Sequence, residues 1–451
     1  MSVRFLLTFL LAVASSGPAI PATEAGSAEN HSLLYTVATS YKPLAWMHGR
    51  DRFSSDAAIF VRDGTGQHRL VPSFAASADP SVSFDGQRVV FAGKAHSQDP
   101  WQIWETNVSG GDPRRITTFT EDCIRPLYLP EDRIVYTHKI DNRFVIETKE
   151  LGSSKTISLT YIPSNAFATD ILRDGRILFE AAYPLGSDGS PEIYTVYSDG
   201  SGVESYRCDH GTARHSGRQN SSGDIVFATV HGLARFTSAR AQQISLAAPA
   251  GEYAGDIVGT PSGDWLASWR PDAKTPFRLM RWTPGTNHLQ SALPEQNANV
   301  IQPSLLAERA VPNRHPSGLH DWPHANLLCL NVYTSKYQFS SGSIHQVRLY
   351  TPDGDGHAKL LGTAPVARDG SFFVQVPAER PLQIELLDSA GKTLKRETGF
   401  FWMRRGEQRG CVGCHAGPET APENAVPMVL LKSTTPTDMT GTARQSAAGG
   451  H

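Results

Sequence analysis

The stretch DPSVSFDGQRVVFAG (79–93) decides how the fold is read: a strand, a tight Asp-Gly turn, then a strongly apolar strand. Near copies follow at IRPLYLPEDRIVYTH (124–138) and TDILRDGRILFEA (169–181). RQNSSGDIVFAT (218–229) and DIVGTPSGDWLASW (256–269) are weaker copies. The turns sit at Asp85, Glu131, Asp174, Ser222 and Ser262, spaced by 46, 43, 48 and 40 residues. A period of ~40–50 residues is that of propeller blades. Glycine supplies the positive φ that such turns need. The β-branched strand after each turn suits a position packed between neighbouring blades. An opening unit (LLYTVAT, then AIFVRDGTGQHRLV) brings the expectation to six blades, with seven as the alternative.

Working outward, an all-β chain also fits the 39 Gly and 30 Pro among 451 residues. Residues 1–28 read as a signal peptide: Arg4 precedes the apolar run FLLTFLLAVA (5–14), and small residues follow. This predicts export, to the periplasm or beyond. No apolar run of 18 or more residues follows, so no integral membrane segment is expected in the mature chain. The 42 basic and 44 acidic residues leave a net charge of −2, which offers no footprint for nucleic acid. The propeller is assigned to 30–300. Short strands with Asp-Gly and Pro turns predict a β-sandwich-like domain over 301–400. An attachment segment spans 401–432, and a Gly/Ala/Thr-rich flexible tail spans 433–451.

Five cysteines spread along the chain make a poor disulfide framework. Two of them stand in Cys411-Val412-Gly413-Cys414-His415, the C-x-x-C-H signature of covalent haem c. Two thiols add across the haem vinyl groups, and His415 becomes the proximal iron ligand. Gly413 is expected to leave room for the macrocycle. Half a zinc site and a thioredoxin-like pair are the other readings, but no second Cys pair and no βαβ pattern lie nearby. Arg404, Arg405 and Arg409 crowd the motif, and Arg405 and Arg409 are candidates to pair with haem propionates. Met428 is a candidate distal iron ligand; His315, His320, His324 and Met403 are others. Cys329, inside LLCLNV, reads as core. Cys208, in RCDHG beside His210, reads as a solvated loop or a weak metal site.

The stretches PLYLPEDRIVYT, RHPSGLHDWPHANLLCLNVY, LGTAPVARDGSFFVQVPAERPLQIELLD and FFWMRRGEQRGCVGCHAGPETAPENAVP resemble the hydrazine synthase alpha subunit family. The blade motif also resembles TolB-type propellers. The hydrazine synthase resemblance implies a six-bladed propeller packed on a haem-bearing middle domain. It implies an iron held by a Tyr just after the motif, and a zinc bound by the motif His and reached by a propeller Cys. This chain departs from that pattern: Glu419 stands four residues beyond His415, and no Tyr follows the motif. Ordinary ligation by His415 is therefore expected. Cys123 is the candidate propeller cysteine for a second metal or distal site. Three functions compete: a monohaem cytochrome passing electrons to a redox partner protein, a haem enzyme of small nitrogen species, and a haem-based sensor or scaffold.

Overall fold

The computed structural model describes residues 32–414, 420 and 424–441. The signal segment, His415, Glu419 and the last ten residues lie outside these. Six four-stranded antiparallel sheets succeed one another along the chain, the sixth with one extra strand segment. The innermost strands of the first five blades pack in succession, the fifth meets the sixth through Gly232–Phe236 and Glu252–Tyr253, and the sixth packs back on the first, closing a ring. Five blades take their strands in order, starting from Ala76–Val82, Cys123–Leu129, Ala166–Ile171, His215–Gln219 and Glu252–Tyr253. The first is composite. Its outer strands are Leu33–Ala38, Ala58–Asp63 and Gly66–Arg69, but its innermost strand is Asn299–Leu305, from the far end. That strand carries the propeller past the expected boundary at 300, because the ring closes only when the last strand pairs with the first.

The tight turns fall where the repeat put them. Gly86, Gly175, Gly223 and Gly263 have φ between 72° and 98°, and Glu131 takes φ 64° in the blade without glycine. A second periodicity was not read from the sequence. The innermost strands of four blades carry a residue with φ near 55°, Asp79, Arg125, Ser216 and Gln302, and Asp256 takes the same φ between the two short inner strand segments Glu252–Tyr253 and Val258–Gly259 of the sixth. Strand register slips beside Asp79, Arg125, Ser216 and Gln302, as expected of a bulge. These residues meet in a buried polar hub. Arg52 pairs with Asp79 at 2.6 Å, and Arg125 donates to Asp256 at 3.0 Å. Arg218 reaches Asp256 at 3.1 Å, and Thr36 donates to Gln302 at 2.9 Å.

Two further four-stranded sheets form the middle domain, with a shared core of Ala325, Leu327, Val347, Leu349, Phe372, Val374 and Leu386. Its first strand is His324–Cys329. The expected segment boundaries give way here. Gln408–Cys411 is itself a strand, parallel to His324–Cys329, and Thr437–Asp438 pairs with Val374 and Gln375. Met439 is buried in the sandwich core, so 437–439 is held rather than part of a loose tail.

The link between the domains, 306–323, runs across the face that carries the Asp-Gly turns. Arg309 lies over Phe84, Asn313 N donates to Arg173 O at 2.8 Å, and His315 stacks on Tyr197 at 3.7 Å. Trp402 of the middle domain is fully buried in the core of the third and fourth blades, where its indole N–H donates to Gly200 O. The middle domain is thereby fixed against that rim of the propeller.

Candidate functional site

Cys411 ends its strand opposite Cys329, and its carbonyl accepts from Leu330 N at 2.8 Å. Cys414 forms an isolated parallel bridge with Ser335. Between them the chain folds tightly over 331–334. A Cβ on Gly413 would lie 2.1 Å from Thr334 O and 2.7 Å from Asn331 O. The glycine is therefore required by main-chain packing within the domain. Both motif cysteines are half-buried against the sandwich core.

The Sγ of Cys414 lies 3.6 Å from Glu397 Oε1. Burial, and after it Glu397, pushes the Cys414 thiol up to about 12. Burial also raises Cys411, despite Arg409. Cys411 and Cys414 keep the C-x-x-C spacing that attachment of haem c requires. Beside them Lys395 Nζ stands 4.1 Å over the Tyr337 ring, and its hydrogen bond to Tyr337 raises its pKa.

The propeller contributes two loops of the fourth blade to the domain junction. One, 183–189, seats on the middle domain: Phe400 N donates to Leu185 O at 2.8 Å, and Gly186 packs on the Phe400 ring. The other, 206–214, carries Cys208 and His210. Tyr183 joins the two by stacking on His210 at 3.9 Å. Burial raises Tyr183, and the charges of Tyr337, Glu397, Lys395 and Cys208 all act on it. Cys411 likewise feels Glu204 of the fourth blade. The loop that carries Tyr183 thus lies at the domain junction, near Glu397 and Lys395.

The remaining candidates fall elsewhere or have other partners. Cys123 is a correction. It is fully buried among Val90, Ile103, Tyr128, Ile134 and Tyr136, opposite His138 in the third blade. Burial drives its thiol far above the usual range. Its strand is buried along its whole length, and the Cys123 side chain packs in that apolar cluster. Cys208 is half-buried in the loop that follows the fourth blade, near Tyr183. Cys329 and Met403 are sandwich core. Arg404 belongs to the domain junction, donating to Ser158 O at 3.0 Å and pairing with Glu379 at 3.2 Å. Arg409 pairs with buried Glu407 at 2.6 Å, and Arg405 with exposed Asp321 at 3.0 Å. Each thus has a carboxylate of the chain where a propionate was expected. Met428 opens the short helix Met428–Lys432, its N–H donating to Asp369 at 2.7 Å. His320, Trp322 and His324 stack in a file, with ring spacings of 5.0 and 6.1 Å. Tyr183, Glu192 and Glu397 carried no local signal. Only the topology, which brings the two fourth-blade loops to one face, reveals them.

A propeller closed by its own last strand, docked by a buried tryptophan to a β-sandwich that bears a C-x-x-C pair, is the class that fold and site define. Residues 342–416 match the family described as the hydrazine synthase alpha subunit middle domain. Hydrazine synthase subunit alpha of Kuenenia stuttgartiensis is 32% identical over 90 residues, which cover 18% of this chain and 11% of that protein. The solved Kuenenia stuttgartiensis hydrazine synthase aligns over 89% of this chain and 72% of its own, with TM-score 0.76 and 16% identity, a likeness of fold. TolB from Acinetobacter baumannii aligns over 60% of this chain and 66% of its own, with TM-score 0.39 and 15% identity.

Proposed function

We propose that this chain is a haem c protein of the hydrazine synthase alpha type, acting on small nitrogen species where propeller and middle domain meet. Cys411 and Cys414 would carry the haem, with His415 beside it. Haem iron with an accessible position supplies binding and reduction of small molecules. The observation that carries this reading is the domain junction, where Cys414 and Glu397 of the middle domain lie near the propeller loop that holds Tyr183. A pure electron carrier needs an exposed haem edge for its redox partner, and the comparisons favour the enzyme over that role. Any zinc implied by the family resemblance would take Cys208 as its propeller ligand in place of Cys123. The relative's designation as a subunit supports assembly with further chains. Export, as expected from the leader, would place that assembly outside the cytoplasm, where haem c is attached.

The test is the visible spectrum of purified, dithionite-reduced protein under carbon monoxide. A rapid shift of the Soret band supports the open-iron enzyme. A six-coordinate low-spin spectrum indifferent to carbon monoxide supports the electron carrier and sinks the proposal.

A further inference from the structure

On the ring face opposite the Asp-Gly turns, the first blade carries a long insertion, 39–57, between Leu33–Ala38 and Ala58–Asp63. Its one helical turn, Ala45–His48, crosses the ring to the fourth blade, where Trp46 is fully buried and stacks on Phe167 at 4.8 Å. Asn165, in the link from the third blade to the fourth, holds the turn there. Its Nδ2 donates to Met47 O at 2.7 Å, and its Oδ1 accepts from Phe144 N at 2.8 Å. The loop 183–189 forms the other side. Gly186, at φ 90°, leaves a Cβ no room between the Phe400 ring and Pro163. Between insertion and loop lies a cavity of about 360 Å³, near the lower end of the ~300–1,000 Å³ typical of ligand pockets. Both sides are pinned by these contacts, so the space is formed before any ligand arrives.

The lining is rich in acceptors and holds one charge. Asp188 is its sole ionisable side chain, and it makes no ion pair among the described residues. Arg143 of the third blade is turned to Ile162 O at 3.1 Å and does not line the space. Ser164, also in the lining, has an Oγ buried without a hydrogen-bond partner. An unpaired buried hydroxyl is costly, so a ligand that supplies its partner is favoured. Met47, Pro163 and Ala182 make the rest of the wall apolar. A bound anion would meet the Asp188 carboxylate with no lining cation to offset it. A purely apolar molecule would leave Ser164 unpaired. A cation with N–H donors and a short hydrocarbon body answers both.

We propose that this cavity is a binding site for a small organic ammonium ion. Its N–H groups donate to the Asp188 carboxylate and to Ser164 Oγ, and its hydrocarbon part lies against Met47 and Pro163. Neither Cys411 nor Cys414 lines the cavity, so the inference stands apart from the haem reading.

The experiment uses the full-length chain with carbon-13-labelled methionine methyl groups, and n-butylammonium chloride as the probe. The Met47 methyl resonance is the readout, assigned through Met47→Leu. Butylammonium is expected to move it saturably, while the resonances of Met280 and Met403, which do not line the cavity, stay in place. Butanol and butyrate at the same concentrations are expected to leave it unmoved. Asp188→Asn, at an exposed loop position, is expected to weaken binding by about tenfold or more, as loss of a hydrogen bond to a charged group does. Asp188→Lys is expected to abolish it. Met280 and Met403 resonances at their wild-type positions certify the fold of each variant. The absence of a saturable shift at Met47, an equal response to butyrate, or an Asp188→Asn variant that binds as tightly as the wild type would each overturn the proposal.

Discussion

At the scale of single residues, the motif is built against main chain as much as against side chains. The Cβ of Gly413→Ala would fall on the Thr334 carbonyl, which backbone pairing holds in place. We predict a loss of about 1–3 kcal/mol of stability, as for other overpacked sites, and a lower yield of haem-loaded protein. Denaturant titration and a haem-to-protein absorbance ratio check both. The hub offers a second test. Burial alone would raise Asp256, but Arg125 and Arg218 outweigh it and hold the carboxyl far below the usual range. Removing one partner of a buried pair leaves an uncompensated charge, so Arg125→Ala should cost about 3–5 kcal/mol, read by urea unfolding. The thiols divide along the same line. Cys411 and Cys414 were legible because their chemistry demands a fixed spacing. Cys208 was not, because nothing within RCDHG says which loops the fold will set beside it. Cys123 misled because a strand entering a propeller's centre can turn its cysteine either to the axis or into the core between blades, and local sequence does not distinguish the two.

At the scale of elements, five blade turns were legible because a tight turn needs particular residues at a fixed interval. The bulges at Asp79, Arg125, Ser216, Asp256 and Gln302 keep a similar interval, but their residue types differ, so no motif marks them. Their common cause is position: each lies on or between innermost strand segments, where the chains of neighbouring blades crowd together. The composite first blade was only half legible, since Asn299–Leu305 and Leu33–Ala38 are far apart in sequence and find each other only on closure. The segment around Trp402 is the element that joins the domains. Its indole is fully buried in propeller core, and such a side chain truncated to alanine costs about 3–5 kcal/mol. Trp402→Ala should therefore loosen the docking. We expect faster tryptic cleavage within 306–323 and a larger radius of gyration by X-ray scattering, while each domain keeps its own unfolding transition. Unchanged cleavage would place the docking energy elsewhere.

At the scale of the whole molecule, closure of the ring passes through the hub, and its buried acid makes stability depend on pH. Burial pushes Glu180 up from the ordinary 4.5 to about 8, even though Arg125 and the Ser216 and Gly217 amides pull the other way. The folded chain therefore binds a proton that the unfolded chain releases between pH 4.5 and 8. This contribution is fully present below pH 4.5 and is lost as pH rises toward 8, at no more than about 1.4 kcal/mol per pH unit. Glu180→Gln should flatten that slope, with a melting temperature that gains on the wild type most at pH 8. Parallel pH profiles would contradict it. On the same scale, Trp402 and the loop 183–189 hold blade ring and sandwich in one arrangement, which brings Tyr183 of the propeller near Glu397 of the middle domain.

The most direct measurement is the intact mass, under denaturing conditions, of the chain produced with a haem-attachment system, beside its Cys411→Ser/Cys414→Ser variant. The account predicts one porphyrin mass on the wild type that survives denaturation, and none on the variant. Wild-type polypeptide at its bare mass, or a variant that keeps the added mass, would contradict it.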